Sequence, residues 1–200
     1  MHPDPHFQPD DRALCEALVE EVGFAMIFAA TSQGPRVVHA PLVSTRDGAV
    51  QFHVSRRNAI AAHLDGATAL CVVNGPDAYI SPRWYSQAAQ VPTWNYVSVE
   101  LEGRVRRMDA DGLHGQLEAL TARHESRIAQ GQPWTLDKTP AAVIEAMLKG
   151  IVGFELEVQQ WRPTFKLSQN KPASERERVI AGLEEAGSPG VAQLMRSLAA

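Results

Sequence analysis

Residues 97–105 read Val-Ser-Val-Glu-Leu-Glu-Gly-Arg-Val, and apolar side chains alternate with polar ones along this stretch. A period of two is typical of a β-strand that turns one face to a core and the other to solvent. The apolar face is predicted to hold Val97, Val99, Leu101 and Val105, and the polar face Ser98, Glu100, Glu102 and Arg104. The stretch therefore predicts a half-buried strand of the kind found in antiparallel sheets.

The same alternation recurs elsewhere in the chain. Val50, Phe52 and Val54 alternate with polar residues, which places His53 and Ser55 on the face opposite the core. About seven strands are expected in all, over residues 24–31, 36–45, 50–55, 69–73, 78–81, 97–105 and 152–158. Helices are expected over residues 10–22, 58–66, 111–127, 139–149 and 174–185, with a short one from Ser188. Asp10 or Asp11 can cap the first helix, and Ser174 with Glu177 forms a capping box for the last long one.

Short connections between alternating strands favour an antiparallel sheet over a doubly wound parallel one. Closing such a sheet into a barrel removes its unpaired edges. No Gly-x-Gly-x-x-Gly motif follows a predicted strand, so a Rossmann fold is not supported. We predict an α/β chain of the α+β type. One domain over residues 1–187 is built on an antiparallel β-barrel with flanking helices, and a peripheral helix occupies residues 188–200.

Composition narrows the class of protein. The 200 residues are 44% hydrophobic and 21% charged, and the formal net charge is -4. This balance is typical of a globular chain and gives no general attraction to DNA or to an anionic membrane. No apolar segment approaches the ~20 residues of a membrane span, and the first residues lack a signal-peptide pattern. We therefore expect a cytoplasmic protein with no membrane partner.

The cysteines and histidines do not suggest a metal centre. Cys15 and Cys71 lie in apolar segments and are expected as free, buried core residues. The histidines lack the ligand spacing of a zinc site, so no metal is predicted. His39 lies in a predicted strand and is expected in the core.

Residues 53–58, His-Val-Ser-Arg-Arg-Asn, stand at a predicted strand-to-helix junction. A helix start presents free N–H groups, and the arginines and the serine hydroxyl add donors for a phosphate. The alternative is a solvated polar junction in which Asn58 is an ordinary helix cap.

Aromatic residues and prolines are concentrated in residues 78–85 and 91–96. Flat rings beside Asn95 and Thr93 suit a planar ligand with hydrogen-bonding edges. An aromatic core plug or a contact between subunits is the alternative. Residues 164–171, Thr-Phe-Lys-Leu-Ser-Gln-Asn-Lys, follow the last predicted strand and are either a solvated loop or a ligand clamp rich in donors.

Eight short segments match segments of a known family and follow one another in the same order, over nearly the whole chain. They are His39–Leu42, His53–Asn58, Gly75–Pro82, Trp84–Tyr85, Val91–Tyr96, Pro133–Trp134, Gly150–Gly153 and Lys166–Asn170. Together they resemble the PaiB family, the FMN-binding proteins described as negative transcriptional regulators. The resemblance implies the split-barrel fold shared with pyridoxamine-phosphate oxidases, and a homodimer with FMN at the subunit interface. Leu42, where the family commonly has phenylalanine, and Gln87, where it often has lysine, depart from the pattern.

A site hypothesis follows from the resemblance together with these segments. The FMN phosphate is expected at Arg56, Arg57 and Asn58, with His53 or Ser55 adding a hydrogen bond. The ring is expected near Trp94 and Tyr96, with Asn95 at a polar edge. Lys166, Gln169 and Asn170 are expected to close the site from the same or the partner subunit.

Three functions remain open at this point. The family indicates a regulator that senses flavin or redox state. The fold also permits a flavin-dependent reductase or oxidase acting on a small molecule, and a non-catalytic flavin module acting through a protein partner. Whether the chain is an enzyme is left undecided. DNA is a possible partner through Arg104, Arg106 and Arg107, although a solvated strand end explains that cluster equally well.

Overall fold

A computed structural model describes residues 2–198 and contains six strands within that range. They are β1 (Phe24–Thr31), β2 (Gly34–Ser44), β3 (Ala49–Ser55), β4 (Thr68–Ile80), β5 (Thr93–Arg107) and β6 (Ile151–Lys166). The strands form a closed barrel in the order β1-β2-β3-β6-β5-β4, and the pairings β1–β2, β1–β4, β2–β3 and β3–β6 are antiparallel. The predicted fold class, an antiparallel barrel with helices, is confirmed.

Six α-helices accompany the strands within residues 2–198. They are α1 (Arg12–Val22), α2 (Ala61–Leu64), α3 (Ala110–Glu125), α4 (Ala141–Leu148), α5 (Ala173–Glu185) and α6 (Pro189–Ser197). The Asp11 carboxylate accepts the Leu14 N–H at 3.0 Å and so caps α1, as the sequence predicts. None of the helices described is long and apolar enough to cross a membrane.

Strand periodicity places the core as expected. On β3, Val50, Phe52 and Val54 are buried, and Phe52 stacks on Phe154 of β6 with ring centroids 5.7 Å apart. Val97, Val99, Leu101 and Val105 of β5 are buried as well. Cys15 and Cys71 are free and buried, and burial raises the pKa of the Cys71 thiol to about 12.

The structure corrects several local predictions. Residues 69–73 and 78–81 belong to one strand, because Asn74-Gly75-Pro76-Asp77 continues in extended conformation instead of turning. The Ser174 capping box does not form, since α5 begins at Ala173 with Pro172 at the N-cap. His39 is exposed and stacks on Phe24 at 6.4 Å, because it falls on the outer face of β2, whose neighbours Val38 and Ala40 are buried.

The chain divides into two compact units. Of the described residues 2–198, the barrel unit comprises 16–73 and 100–161, and the terminal unit comprises 2–15, 74–99 and 162–198. Within the terminal unit, α6 packs on α5 and buries Val191, Ala192 and Met195. The boundary expected at residue 187 stays a prediction, but α6 is not peripheral, because its apolar face is covered.

Candidate functional site

In the barrel unit, a tight turn follows the end of β3. The Asn58 N–H donates to the Ser55 carbonyl at 2.9 Å, and the Ser55 hydroxyl accepts the Arg57 N–H at 3.3 Å. The Asn58 side-chain oxygen accepts the Ile60 N–H at 3.1 Å. Because this turn occupies residues 55–60, α2 begins only at Ala61 and has four residues, so the longer helix predicted from residue 58 to residue 66 is wrong.

The two arginines of this turn have different environments. Arg56 donates from Nε to the Lys149 carbonyl at 3.0 Å and from Nη2 to the Ile151 carbonyl at 2.9 Å. Arg57 is exposed, and its guanidinium makes no hydrogen bond or ion pair to any residue in the described range 2–198. Arg56 therefore holds the segment before β6, and Arg57 is the guanidinium left for a ligand.

His53 is hydrogen-bonded to Gln116, a residue that the sequence analysis did not include in the site. Its Nδ1 lies 3.0 Å from Oε1 of Gln116 on α3, which leaves the ring Nε2 for another partner. Gln116 is 1% exposed, and its Nε2 has no hydrogen-bond partner among residues 2–198. The sequence does contain a signal, because residue 116 lies three or four positions from Leu113 and Leu120, and so on the same face of a helix as these apolar side chains.

In the terminal unit, three aromatic side chains form a surface that we call the aromatic wall: Tyr79, Trp94 and Tyr96. Trp94 is 53% exposed and Tyr79 is 48% exposed, and their rings meet edge to face with centroids 6.3 Å apart. Trp94 and Tyr96 line a cavity of about 260 Å³ together with Asn74 and Asp77. Because these rings are exposed and lie beside a cavity, contact with a planar ligand explains them better than a role as a core plug.

Asn95 points the other way from Trp94 and is fully buried. Its amide donates to the Ser168 hydroxyl at 3.0 Å and to the Met195 sulfur at 3.4 Å. The period of two, extended from Val97 back to residue 95, would have placed this amide inside. Its expected contact with a ligand stays a prediction, and the geometry favours a structural role.

The predicted clamp consists of residues with separate tasks. The Lys166 ammonium donates to the Thr93 hydroxyl at 2.6 Å, and partial burial lowers the pKa of Lys166. The Gln169 side chain accepts the Leu167 N–H at 2.7 Å and donates to the carbonyls of Phe165 and His6, so it closes its own turn. Asn170 is exposed, and its side-chain amide makes no hydrogen bond to any residue within the described range. Lys166 and Asn170 are thus the clamp residues best able to meet a ligand.

No group of three or more histidine, cysteine or acidic side chains within residues 2–198 is placed to hold a metal ion.

The barrel unit also has cationic residues that the site hypothesis did not include. Arg107 and Lys149 line one cavity with Arg56.

Comparison with known protein families identifies the family of this chain. A family model described as "Putative FMN-binding domain" matches residues 1–160. The chain belongs to this family. The protein named protease synthase and sporulation protein PAI 2, from Bacillus subtilis, is 35% identical over 125 residues, which are 62% of this chain and 59% of PAI 2. The resemblance to the PaiB family is thereby confirmed, and the match spans about three fifths of that relative's length.

Other relatives extend the comparison. An uncharacterised protein of Emericella nidulans is 28% identical over 79% of this chain and 76% of its own length. Among solved structures, the FAD and heme binding protein of Mycobacterium smegmatis superposes with a TM-score of 0.62 at 20% identity, covering 88% of this chain and 80% of that one. The flavocytochrome Anf3 of Azotobacter vinelandii gives 0.59 at 15% identity, covering 82% and 72%. These likenesses confirm the split-barrel fold.

The residues present fit the cofactor that the family is described as binding. FMN has a phosphate and a flat ring system. Arg57 offers an unpaired guanidinium beside a serine hydroxyl in the barrel unit. In the terminal unit, the aromatic wall offers exposed rings, with the Lys166 cation bonded to Thr93 one residue before Trp94.

Proposed function

We propose that this FMN-binding protein is a homodimeric regulator that responds to flavin or to its redox state. The strongest single support is the unpaired Arg57 guanidinium, in a family described as FMN-binding. FMN supplies reversible electron transfer when it is bound. The chain's own residues bind and orient the cofactor and set the charge around it.

Arg57 and Ser55 form the proposed phosphate subsite. The guanidinium can donate two parallel hydrogen bonds to phosphate oxygens, and the Ser55 hydroxyl can donate a third. Asn58 keeps the turn closed through its bond to Ile60, and Arg56 fixes the neighbouring segment. His53 can add a bond through Nε2, because Gln116 engages only Nδ1.

The aromatic wall is the proposed ring subsite. Trp94 and Tyr96 offer flat apolar surface, and Asn170 offers free amide donors. Lys166 brings a positive charge, and a cation near the N1–O2 edge of a flavin stabilises its reduced, anionic form. A homodimer supplies a second copy of both subsites.

The phosphate subsite is tested by titrating FMN and riboflavin, which lacks the phosphate, into the wild type and into Arg57→Ala. Removing one charge-assisted contact costs about 1.5–3 kcal/mol, so the FMN affinity should fall roughly 10- to 100-fold. The affinity for riboflavin should not change. Arg104→Ala is the matched control, because Arg104 is an exposed arginine outside the turn. Equal losses for FMN and riboflavin, or no loss for either, would contradict the assignment.

The regulatory role is supported by the relative PAI 2, whose name refers to protease synthesis and sporulation. A reductase or oxidase is the second candidate, and the Lys166 cation, bonded to Thr93 next to the aromatic wall, favours it. A gel shift with the DNA upstream of the protein's own gene, retained at physiological salt, would support the regulator acting on DNA. Steady consumption of NAD(P)H by FMN-loaded protein would support the enzyme.

The homodimer is tested by light scattering on the FMN-loaded protein. One chain has a mass of 21.9 kDa, and the proposal requires twice that value. A monomeric mass across the accessible concentration range would exclude a shared site.

A further inference from the structure

The barrel unit contains a cavity of about 470 Å³ whose lining combines cationic and apolar side chains. The cations are Arg56, Arg107 and Lys149. The apolar part includes Met108, Leu113 and Leu148. Arg57, Ser55 and Asn58, which form the proposed phosphate subsite, do not line it.

The cations around this cavity are not neutralised. The side chains of Arg107 and Lys149 make no hydrogen bond or ion pair within residues 2–198, and Arg56 keeps Nη1 free after its two bonds to carbonyl oxygens. Asp109 is the one carboxylate in the lining, and it accepts the Gly112 N–H at 2.8 Å as the N-cap of α3. Three exposed cations and one carboxylate thus belong to the lining, so its net positive charge favours an anion.

A second cavity, of about 350 Å³, is also lined by Arg56 and Arg107. The carboxylate in its lining, Asp65, accepts the backbone N–H of Arg107 at 2.9 Å. Asp65 therefore lies close to Arg107 but does not line the larger cavity, whose own lining has three cations and one carboxylate.

The floor of the larger cavity is apolar and well packed. Met108 and Leu113 are 8% and 7% exposed, and Gly153 lies against both of them. A Cβ at residue 153 would stand 2.7 Å from the Met108 methyl carbon and 3.1 Å from Leu113 Cδ1, so a larger residue there would displace the side chains that form this floor. A solvated basic surface needs no such floor, whereas a ligand with a charged head and an apolar body uses both parts.

We propose that this cavity is a second ligand site, separate from the FMN site, for a small amphipathic anion such as a carboxylate with a hydrocarbon chain. Arg107 and Lys149 bind the anionic head, with Arg56 Nη1 able to add a donor. Met108, Leu113 and Leu148 cover the apolar body. Such a ligand would give a regulatory protein an input other than flavin.

The test is calorimetric titration of the FMN-loaded protein with octanoate, 1-octanol and inorganic phosphate as separate probes. Octanoate is expected to bind once per chain, and the other two at least about tenfold more weakly, because each lacks one half of the recognised chemistry. The double variant Arg107→Gln/Lys149→Gln should lose about tenfold or more in octanoate affinity. The control Arg104→Gln, an exposed arginine on the same strand outside the cavity, should not change it.

Flavin measurements separate this proposal from the proposed function. The double variant should bind FMN with wild-type affinity, and octanoate should not displace FMN. Displacement, an FMN affinity lowered in the double variant, or octanoate binding that survives in the double variant would overturn the second site. Absence of octanoate binding would do so as well. The octanoate result does not depend on where the FMN phosphate binds: an unchanged FMN affinity in Arg57→Ala would refute the phosphate subsite and leave the second site standing.

Discussion

Gly182 shows how closely single residues are specified by their surroundings. It lies in α5 of the terminal unit, and a Cβ at this position would overlap the ring of Trp84. Gly115 lies in α3 of the barrel unit, is exposed, and has nothing within 4 Å of the place where a Cβ would stand. Both are helical glycines, but only Gly182 is required by packing.

Gly182→Ala is expected to lower the free energy of unfolding by about 1–3 kcal/mol, because an added methyl group forces the Trp84 ring or the helix to move. Gly115→Ala is the matched control and should stabilise by up to about 1 kcal/mol, since alanine is the better helix former. Both are measured by chemical denaturation followed by circular dichroism. A neutral or stabilising Gly182→Ala would contradict the close packing of α5 on Trp84.

At the scale of the elements, side-chain contacts between distant segments fix where each one ends. Arg56 connects the end of β3 to the segment that begins β6. Asn95 of β5 connects to Ser168, just after β6, and Ser168 itself has a φ of +59°. A serine in this left-handed conformation is strained unless its contacts compensate.

Two substitutions of Ser168 separate the effect of its hydrogen bond on the free energy of unfolding from the effect of its backbone strain. Ser168→Ala loses the bond to Asn95 and keeps the strain, so it should lower the free energy of unfolding by about 1–3 kcal/mol. Ser168→Gly loses the same bond but relieves the strain, and should be more stable than Ser168→Ala by on the order of 1 kcal/mol. Thermal or chemical unfolding of both variants checks the order. The reverse order would show that the left-handed conformation at residue 168 is not a source of strain.

At the scale of the whole molecule, acid stability depends on carboxylates that are hydrogen-bonded in the fold. The pKa of Glu175 is lowered from its ordinary value of 4.5, chiefly by hydrogen bonds from the Ser86 hydroxyl and the Ser86 N–H. The pKa of Glu184 is lowered in the same way by Arg196. A carboxyl whose folded pKa is depressed contributes stability above its unfolded pKa and loses it as the pH falls through the folded value.

The free energy of unfolding should therefore decrease as the pH falls below about 4.5. Glu175→Gln should flatten this dependence, because the neutral amide cannot titrate. Glu185→Gln is the control, since Glu185 is exposed at the end of the same helix and makes no hydrogen bond or ion pair within residues 2–198. Denaturant titrations between neutral and acid pH measure the slopes. Identical slopes for wild type and Glu175→Gln would refute the contribution of Glu175.

The sequence alone determined the strand periodicity, the buried faces of β3 and β5, the free buried cysteines and the antiparallel barrel. Those properties depend mainly on the pattern of apolar and polar residues over a few consecutive positions, and this pattern is visible in the sequence itself. It also indicated the phosphate turn and the aromatic segments as candidate ligand contacts, through the family resemblance.

Only the tertiary structure decided which polar residues are free. The side chains of Arg56, Asn95 and Gln169 hydrogen-bond within the protein, whereas those of Arg57 and Asn170 make no hydrogen bond within residues 2–198. Neighbouring residues of the same chemical type, such as Arg56 and Arg57, cannot be told apart from the sequence. The physical reason is that hydrogen-bond partners are chosen by proximity in space: Arg56 and Ile151 are 95 residues apart in the chain, and Asn95 and Ser168 are 73 apart.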